Sequence, residues 1–268
     1  MSKQLNIRMD EAQIYSEIST KRIWTLGTRG YAPDGRAFRA ALNSAVALTV
    51  GSLARPAEKT PEHANLAVPT AVEVGGRLLT VTLTFGRTLT DEYADGLVYV
   101  NDVDDQGNVY SVVGNSETDP EGTATINLSL PARTKLTTSS QVTLIRNRYR
   151  AVRVTETVAN ERAVGSSPVA IAANTYFWAQ VAGPAAILQD GAWDENKDLV
   201  PSDQVRGAAM VASSVSQGAE ARLTDVTYAD RLTVSNVVPS TGVTNTIGYA
   251  IDPRADTEFG LVYLSLDA

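Results

Sequence analysis

The sequence predicts a mainly β protein: sandwich or small-barrel domains of short strands, with an N-terminal arm. Three observations predict it. Between residues 70 and 130, apolar and polar residues alternate with period two, the pattern of sheets with one wet face. Turn signals recur between these runs, at Gly75-Gly76 and at Asp104-Asp105-Gln106-Gly107-Asn108. A dense aromatic run, Tyr176-Phe177-Trp178, then alternates on through Ala179, Gln180 and Val181. The 268 residues suffice for one large β domain or two smaller ones. The expected division is an arm at 1–22, a first β domain at 23–164 and a second at 165–268. The boundary falls where Gly165-Ser166-Ser167-Pro168 follows a charged stretch, and the hairpin at 23–42 is free to pack with the second domain.

Residues 1–22 are polar and mixed. A short helix is expected from Asp10 to Ser19, with Ile14 and Ile18 one turn apart. It is too short to be stable alone in water, so the arm must order against its own body or a neighbouring subunit. Residues 23–42 read as a hairpin: Ile23-Trp24-Thr25-Leu26 leads in, Ala32-Pro33-Asp34-Gly35 turns, and Arg36-Ala37-Phe38-Arg39-Ala40 leads out. Arg29, Arg36 and Arg39 crowd it. A phosphate or carboxylate would suit them, as would a protein contact or plain solvation, and no Walker-type loop accompanies them. The tip residues Pro33 and Asp34 join Ile14, Ile18 and the three arginines as candidate partner-binding residues.

Residues 45–50 read as a strand and 54–69 as a Pro-rich surface loop holding the one histidine, His63. In the second strand of the alternating region, Leu79, Val81, Leu83 and Phe85 share a face. Further on, Ala124, Ile126, Leu128 and Leu130 do the same. Asp102, Asp104 and Asp105 are clustered oxygens of the kind a hard cation takes, but the glutamate that closes an EF-hand loop is missing, and a hairpin turn accounts for them equally. Arg146, Arg148 and Arg150 at spacing two would form a basic stripe on one strand face, with Tyr149 opposite. An acidic neighbouring subunit suits such a stripe better than nucleic acid, and a charged edge strand that deters mispairing is its plain structural meaning.

Within 176–191, Gly183-Pro184 is expected to break one strand into two, because proline has no N–H for a ladder. Beyond it come a polar loop around Trp193, small-residue-rich stretches at 200–204 and 207–214 of which 207–212 reads as a tightly packed strand, a turn at 217–221, strand and loop at 223–238, and final strands at 247–251 and 261–266.

Composition limits the chemistry. Without cysteine, disulfides and thiolate nucleophiles or metal sites are impossible. A lone His63 beside Pro61 and Glu62 offers no triad, no phosphate loop is present, and no cofactor or metal is expected. No apolar run approaches a membrane span, and the first residues lack a signal-peptide core. Net charge is −7; residues 1–60 carry nine Lys/Arg against five Asp/Glu, and the remainder 14 against 25. An acidic body repels nucleic acid, so neither nucleic acid nor membrane is an expected partner.

Three stretches carry a family resemblance: Tyr176-Phe177-Trp178-Ala179-Gln180 running into Gly183-Pro184-Ala185, the segment Leu26-Gly27-Thr28-Arg29-Gly30-Tyr31 through Arg39, and Ile247-Gly248-Tyr249-Ala250-Ile251 with the last strand. The chain resembles tailed-bacteriophage virion proteins, the capsid decoration (cement) proteins and their relatives. The resemblance implies a non-enzymatic structural protein, made in the host cytoplasm and located on the capsid surface of the virion. It also implies the major capsid protein as partner, a homotrimer, and an arm that meets neighbours. Tyr176, Phe177 and Trp178 are then core or trimer-interface aromatics. A tail or adhesin component is a close variant. From a different class, Trp193 beside Asp190, Asp194 and Glu195 has the composition of a sugar site, so a carbohydrate-binding or glycan-hydrolysing β protein is the alternative.

Overall fold

Alternating residues with β-branched or long apolar side chains give the alternating region two unlike faces, and closing the sheet on itself buries one of them completely. In the computed structural model, six strands form a closed barrel in the order Gln141–Ile145, Leu66–Ala67, Leu78–Thr82, Thr123–Leu128, Val109–Asn115, Leu97–Asp102 and back to the first. Leu79 pairs with Ile126 and Val81 with Ala124, while Val142 and Leu144 pair with Val100 and Val98. All eight are buried and fill the barrel interior with Tyr93, Tyr110 and Leu136. Thr80, Thr82, Thr123, Thr125 and Asn127 take alternate positions on two of the strands, while Leu78, Leu97, Val109 and Val113 are apolar residues left exposed on the outside. Two expected members drop out: the strands end at Thr82 and Leu128, which leaves Phe85 and Leu130 exposed.

The structure describes residues 7–16, 18–83, 85–158, 161–212 and 245–267; the turn expected at 217–221 and the elements expected at 223–238 lie outside them. The protein is mainly β, and the chain divides into two units, each drawn from non-consecutive segments. Unit 1 comprises Met1–Thr49, Pro56–Arg153 and Val169–Ala179; unit 2 comprises Val50–Arg55, Val154–Pro168 and Gln180–Ala268. The boundary expected at 164/165 therefore falls inside unit 2. The hairpin groups with the aromatic run, because its strand Ala37–Leu42 lies next to Tyr176–Leu188 in the sheet.

Besides the barrel, unit 1 holds the first strands of the second sheet. Arg29–Tyr31 pairs antiparallel with Ala37–Leu42, Gly30 opposite Phe38, and the turn closes through Gly35 N–H to the Ala32 carbonyl at 3.1 Å. Gly35 has φ +87°, the left-handed conformation glycine takes without strain. The arm adds Ile7–Arg8 as a parallel edge strand on Arg29–Tyr31. The helix Glu11–Ser16 then starts at a capping box: Asp10 Oδ1 accepts from Gln13 N–H at 2.8 Å, and Gln13 Oε1 from Asp10 N–H at 2.9 Å. The helix is shorter than expected, so Ile18 lies beyond it.

In unit 2 the second half of Tyr176–Leu188 pairs with Phe259–Ser265, which pairs with Gly248–Asp252; then come Asp198–Pro201 and Ala209–Val211. Leu53–Arg55 and Gly165–Ser166 pair beside it, with Ser166 opposite Gln180. The expected break at Gly183-Pro184 does not occur: one strand of 13 residues runs through it. Gly183 absorbs the irregularity at φ +87°, and the buried Gln180 amide donates to the Pro184 carbonyl at 2.7 Å. A side chain thus supplies a donor where the backbone is irregular.

Candidate interaction surfaces

The hairpin and the arm are braced together. The Arg36 guanidinium donates to Asp34 Oδ2 at 2.6 Å and to the Tyr15 hydroxyl at 3.2 Å, lies 3.8 Å from Glu11, and covers the Phe38 ring at 5.7 Å. Desolvation pushes the Asp34 carboxyl up, but hydrogen bonds from Arg36 outweigh it and hold the group below its ordinary value. Arg39 donates to the Gly27 carbonyl at 2.7 Å, and Arg29 lies over the Tyr31 ring at 4.9 Å. Arg36 and Arg39 thus engage the protein itself instead of forming an anion cradle. Pro33, Asp34 and Gly35 stay exposed at a tip whose base is fixed.

Ile14 is corrected as a partner contact. It is 1% exposed and packs with Met9, Phe38, Ala40 and Trp178, so the arm orders against its own body. Ile18 is half-buried beside Ser19, whose backbone bonds Tyr176 in both directions at 3.1 and 2.7 Å. Phe177 and Trp178 are core residues and Tyr176 is half-buried; Trp178 meets Trp24 with ring centroids 6.2 Å apart. A shallow apolar groove remains beside them, lined by Ile23, Trp24, Ala40, Ala41, Tyr176 and Phe177.

The basic stripe is also corrected. The strand ends at Ile145, and Arg150 N–H bonds the Asn147 carbonyl at 2.9 Å, closing a turn. Arg146, Arg148 and Arg150 therefore share no strand face. Arg146 pairs with Glu92, Arg148 lies over the Tyr149 ring at 5.4 Å, and Tyr149 is buried. A cavity of ≈ 160 Å³ lies here, with Thr60, Tyr93, Leu144 and Arg146 in its wall. That is well below the roughly 300–1,000 Å³ of small-molecule sites.

His63 departs from expectation too. Its segment forms a short 3₁₀ turn, Pro61–His63, and its ring is 2% exposed, edge-on to Tyr93 with the centroids 5.6 Å apart. Nδ1 is hydrogen-bonded to the Tyr93 hydroxyl. Burial, with Glu92 adding, pushes Tyr93 up to about 12. Burial, reinforced by Arg146 and opposed by Glu92 and Glu62, holds His63 below 6.5. The unfolded chain therefore binds a proton that the folded chain does not. Stability is fully present above pH 6.5 and falls as the pH drops below it, by at most about 1.4 kcal/mol per pH unit from this group. Urea midpoints measured from pH 7.5 to 5 check this: His63→Gln is expected to fall less steeply than wild type, and equal slopes would refute it.

The aspartates at 104 and 105 bond their own hairpin and the segment at 134–137. Asp105 accepts from the Tyr110 hydroxyl at 2.6 Å and from Thr134, and Asp104 accepts from Thr137 at 2.6 Å. Among the described residues no group of three or more His, Asp or Glu is placed to hold a metal. No described helix is long and apolar enough to cross a membrane. Trp193 is corrected as a sugar platform: it is 5% exposed, in the unit 2 core with Ile187, Leu199 and Val262, while Asp194 and Glu195 lie exposed in the loop.

One surface escapes sequence reasoning. Phe259, Leu261 and Tyr263 point outward from the last strand, and Tyr249 stacks on Tyr263 with centroids 5.4 Å apart and planes at 11°. Gly260, Val262 and Leu264 alternate inward. The whole run is apolar, so its alternation is invisible in the sequence.

No protein-family model, curated protein or solved structure matches the chain. The surfaces must be read from their own chemistry.

Proposed function

We propose that the protein is a non-enzymatic structural component of a tailed-phage virion that decorates the outer surface of the capsid as a homotrimer bound to the major capsid protein lattice. The observation that carries this reading is the hairpin tip: Pro33 and Asp34 are exposed on a turn that Arg36 ties to Tyr15 and Glu11. A contact point fixed before binding loses little entropy on docking. Repeated in one oligomer, modest contacts of this kind add up to firm attachment, and binding that favours the mature shell stabilises it. The resemblance in the Tyr176–Gln180 and Leu26–Arg39 stretches points the same way, since the first is the spine of the sheet and the second builds the tip.

The test is co-sedimentation with capsid shells stripped of the protein. Wild type is expected to saturate at a fixed ratio to the major capsid protein. Asp34→Lys, at the exposed tip, is expected to weaken binding about tenfold, the effect of roughly 1.4 kcal/mol. Deleting residues 1–22 is a poorer probe, because it removes Met9 and Ile14 from the core. A folded wild type that leaves every shell unbound overturns the proposal.

A further inference from the structure

The chain has three Asp-Gly steps, at Asp34-Gly35, Asp95-Gly96 and Asp190-Gly191. Such a step is open to attack from within, because glycine has no Cβ to shield its nitrogen and turns freely. The glycine nitrogen attacks the aspartyl side-chain carbon: an N–Cγ bond forms, the amide proton passes to solvent, and the carboxyl hydroxyl leaves as water. The cyclic imide then takes up one water. Opening at the main-chain carbonyl breaks the original peptide C–N bond and leaves the chain running through the side-chain carbonyl, an isoaspartyl link of unchanged mass. Water is the sole co-reactant. Two features hold a step back: an N–H tied into a hydrogen bond, and a carboxyl kept ionised, since only the neutral form sheds its hydroxyl as water.

The three steps are held unequally. At Asp95-Gly96 the Gly96 N–H donates to the Tyr93 carbonyl at 2.9 Å, and the Asp95 carboxylate accepts from Arg22 and from Leu26 N–H. Its side chain is 13% exposed, and backbone crowds Gly96, with the Ile145 carbonyl oxygen 2.4 Å from where a Cβ would stand. At Asp190-Gly191 the Gly191 N–H donates to Asp256 Oδ1 at 2.9 Å, and the half-buried Asp190 accepts from the buried Ser202 hydroxyl. Asp34-Gly35 stands at the open tip. The Asp34 side chain is 51% exposed, nothing lies within 4 Å of a Gly35 Cβ, and the Gly35 N–H makes the longest of the three bonds, 3.1 Å to the Ala32 carbonyl. Its carboxylate is held by Arg36, through the backbone N–H at 3.1 Å and Nε at 2.6 Å. Desolvation opposes ionisation there, but the Arg36 bonds outweigh it.

We infer that Asp34-Gly35 is the site at which the folded protein converts to isoaspartate, and that the Arg36 guanidinium is the latch that delays the step. The latch is anchored from behind, since Arg36 also donates to the Tyr15 hydroxyl and covers the Phe38 ring. Conversion adds a backbone atom to a turn closed by Ala32 N–H on the Arg36 carbonyl at 3.0 Å and by Gly35 N–H on Ala32. The tip therefore loses its shape when Asp34 converts. The chemistry needs no partner, so it holds whether or not the tip binds a shell.

Peptide mapping of the stored full chain tests it, with thermal melts to show that each variant is folded. Aspartyl and isoaspartyl peptides share a mass but separate on chromatography and break differently under electron-transfer fragmentation. After weeks at mildly acidic pH, wild type is expected to carry isoaspartate at residue 34 and at neither 95 nor 190, while the urea-unfolded chain carries it at all three. Arg36→Gln is expected to convert residue 34 about three- to fivefold faster, the factor an exposed ion pair accounts for. Salt screens such a pair, so the wild-type rate at residue 34 is expected to rise between about 50 and 500 mM salt while the Arg36→Gln rate stays level. Asp34→Glu, whose longer side chain closes the ring far less readily, is expected to give no product there. Isoaspartate that appears first at residue 95 or 190, or a folded wild type that stays unconverted at 34 while the unfolded chain converts, overturns the site. An Arg36→Gln rate equal to that of wild type overturns the latch. Faster conversion at all three positions in Arg36→Gln also overturns it, because the fold as a whole would then have loosened.

Discussion

Trp178→Ala is expected to lower the unfolding free energy by about 3–5 kcal/mol, the usual cost of truncating a large buried aromatic. Trp178 is 2% exposed and joins the arm to the hairpin: Met9, Ile14, Phe38 and Ala40 pack in its cluster, with Trp24 against it. Gly30 leaves the room, since a Cβ there would stand 3.3 Å from the indole and closer still to Met9. The truncation also undoes the arm, whose six-residue helix has no stability of its own. Two measurements check it. Urea unfolding followed by circular dichroism should show the loss, and limited proteolysis should cut within residues 7–16 faster than in wild type. Trp178→Phe, which keeps most of the apolar volume, should lose clearly less on both. A loss below about 1 kcal/mol, with the arm still protected, would show that the cluster does not depend on this ring.

What was legible in the sequence follows the same physics. The barrel was legible because Val81, Ala124, Ile126 and Leu128 alternate with polar residues, and a sheet with one wet face leaves that record. The hairpin tip was legible from Pro33-Asp34-Gly35. Arg146, Arg148 and Arg150 misled because spacing two does not distinguish a strand from a turn; the strand ends at Ile145, and the chain turns where Arg150 N–H bonds the Asn147 carbonyl. His63 could not be placed without Tyr93, 30 residues away in sequence, and Trp193 looked like a surface aromatic because its neighbours are charged. The strand through Gly183-Pro184 depends on the Gln180 side chain, and no propensity encodes that bond. The Tyr249–Tyr263 surface was hidden for the opposite reason: where inward and outward residues are both apolar, the pattern loses its phase.

Gly248→Ala is expected to cost more than about 4 kcal/mol, among the largest effects of any single substitution here. A Cβ at this position would stand 1.9 Å from the Tyr263 carbonyl oxygen, 2.9 Å from its carbon and 3.1 Å from Leu264 Cα. All three are backbone atoms of the strand that Gly248 pairs with, and no side chain can move to relieve the clash. The φ of +147° adds strain for any L side chain. Displacing Gly248 pulls on Ile247, which is buried and bonds the Leu199 carbonyl at 2.8 Å, and on the pairing of Tyr249 with both Asp198 and Tyr263. The damage therefore reaches the unit 2 core and the stacked tyrosines together. Gly35→Ala is the control: its φ is also positive at +87°, but nothing lies within 4 Å, so only the conformational cost of about 1–2 kcal/mol remains. Thermal melts of the two variants separate the causes. A Gly248→Ala melt no lower than that of Gly35→Ala would show that the strands yield and that packing of the two backbones is not what fixes their register. The expected result, a much larger drop, would tie the close approach at Gly248 to the placement of the tyrosine pair.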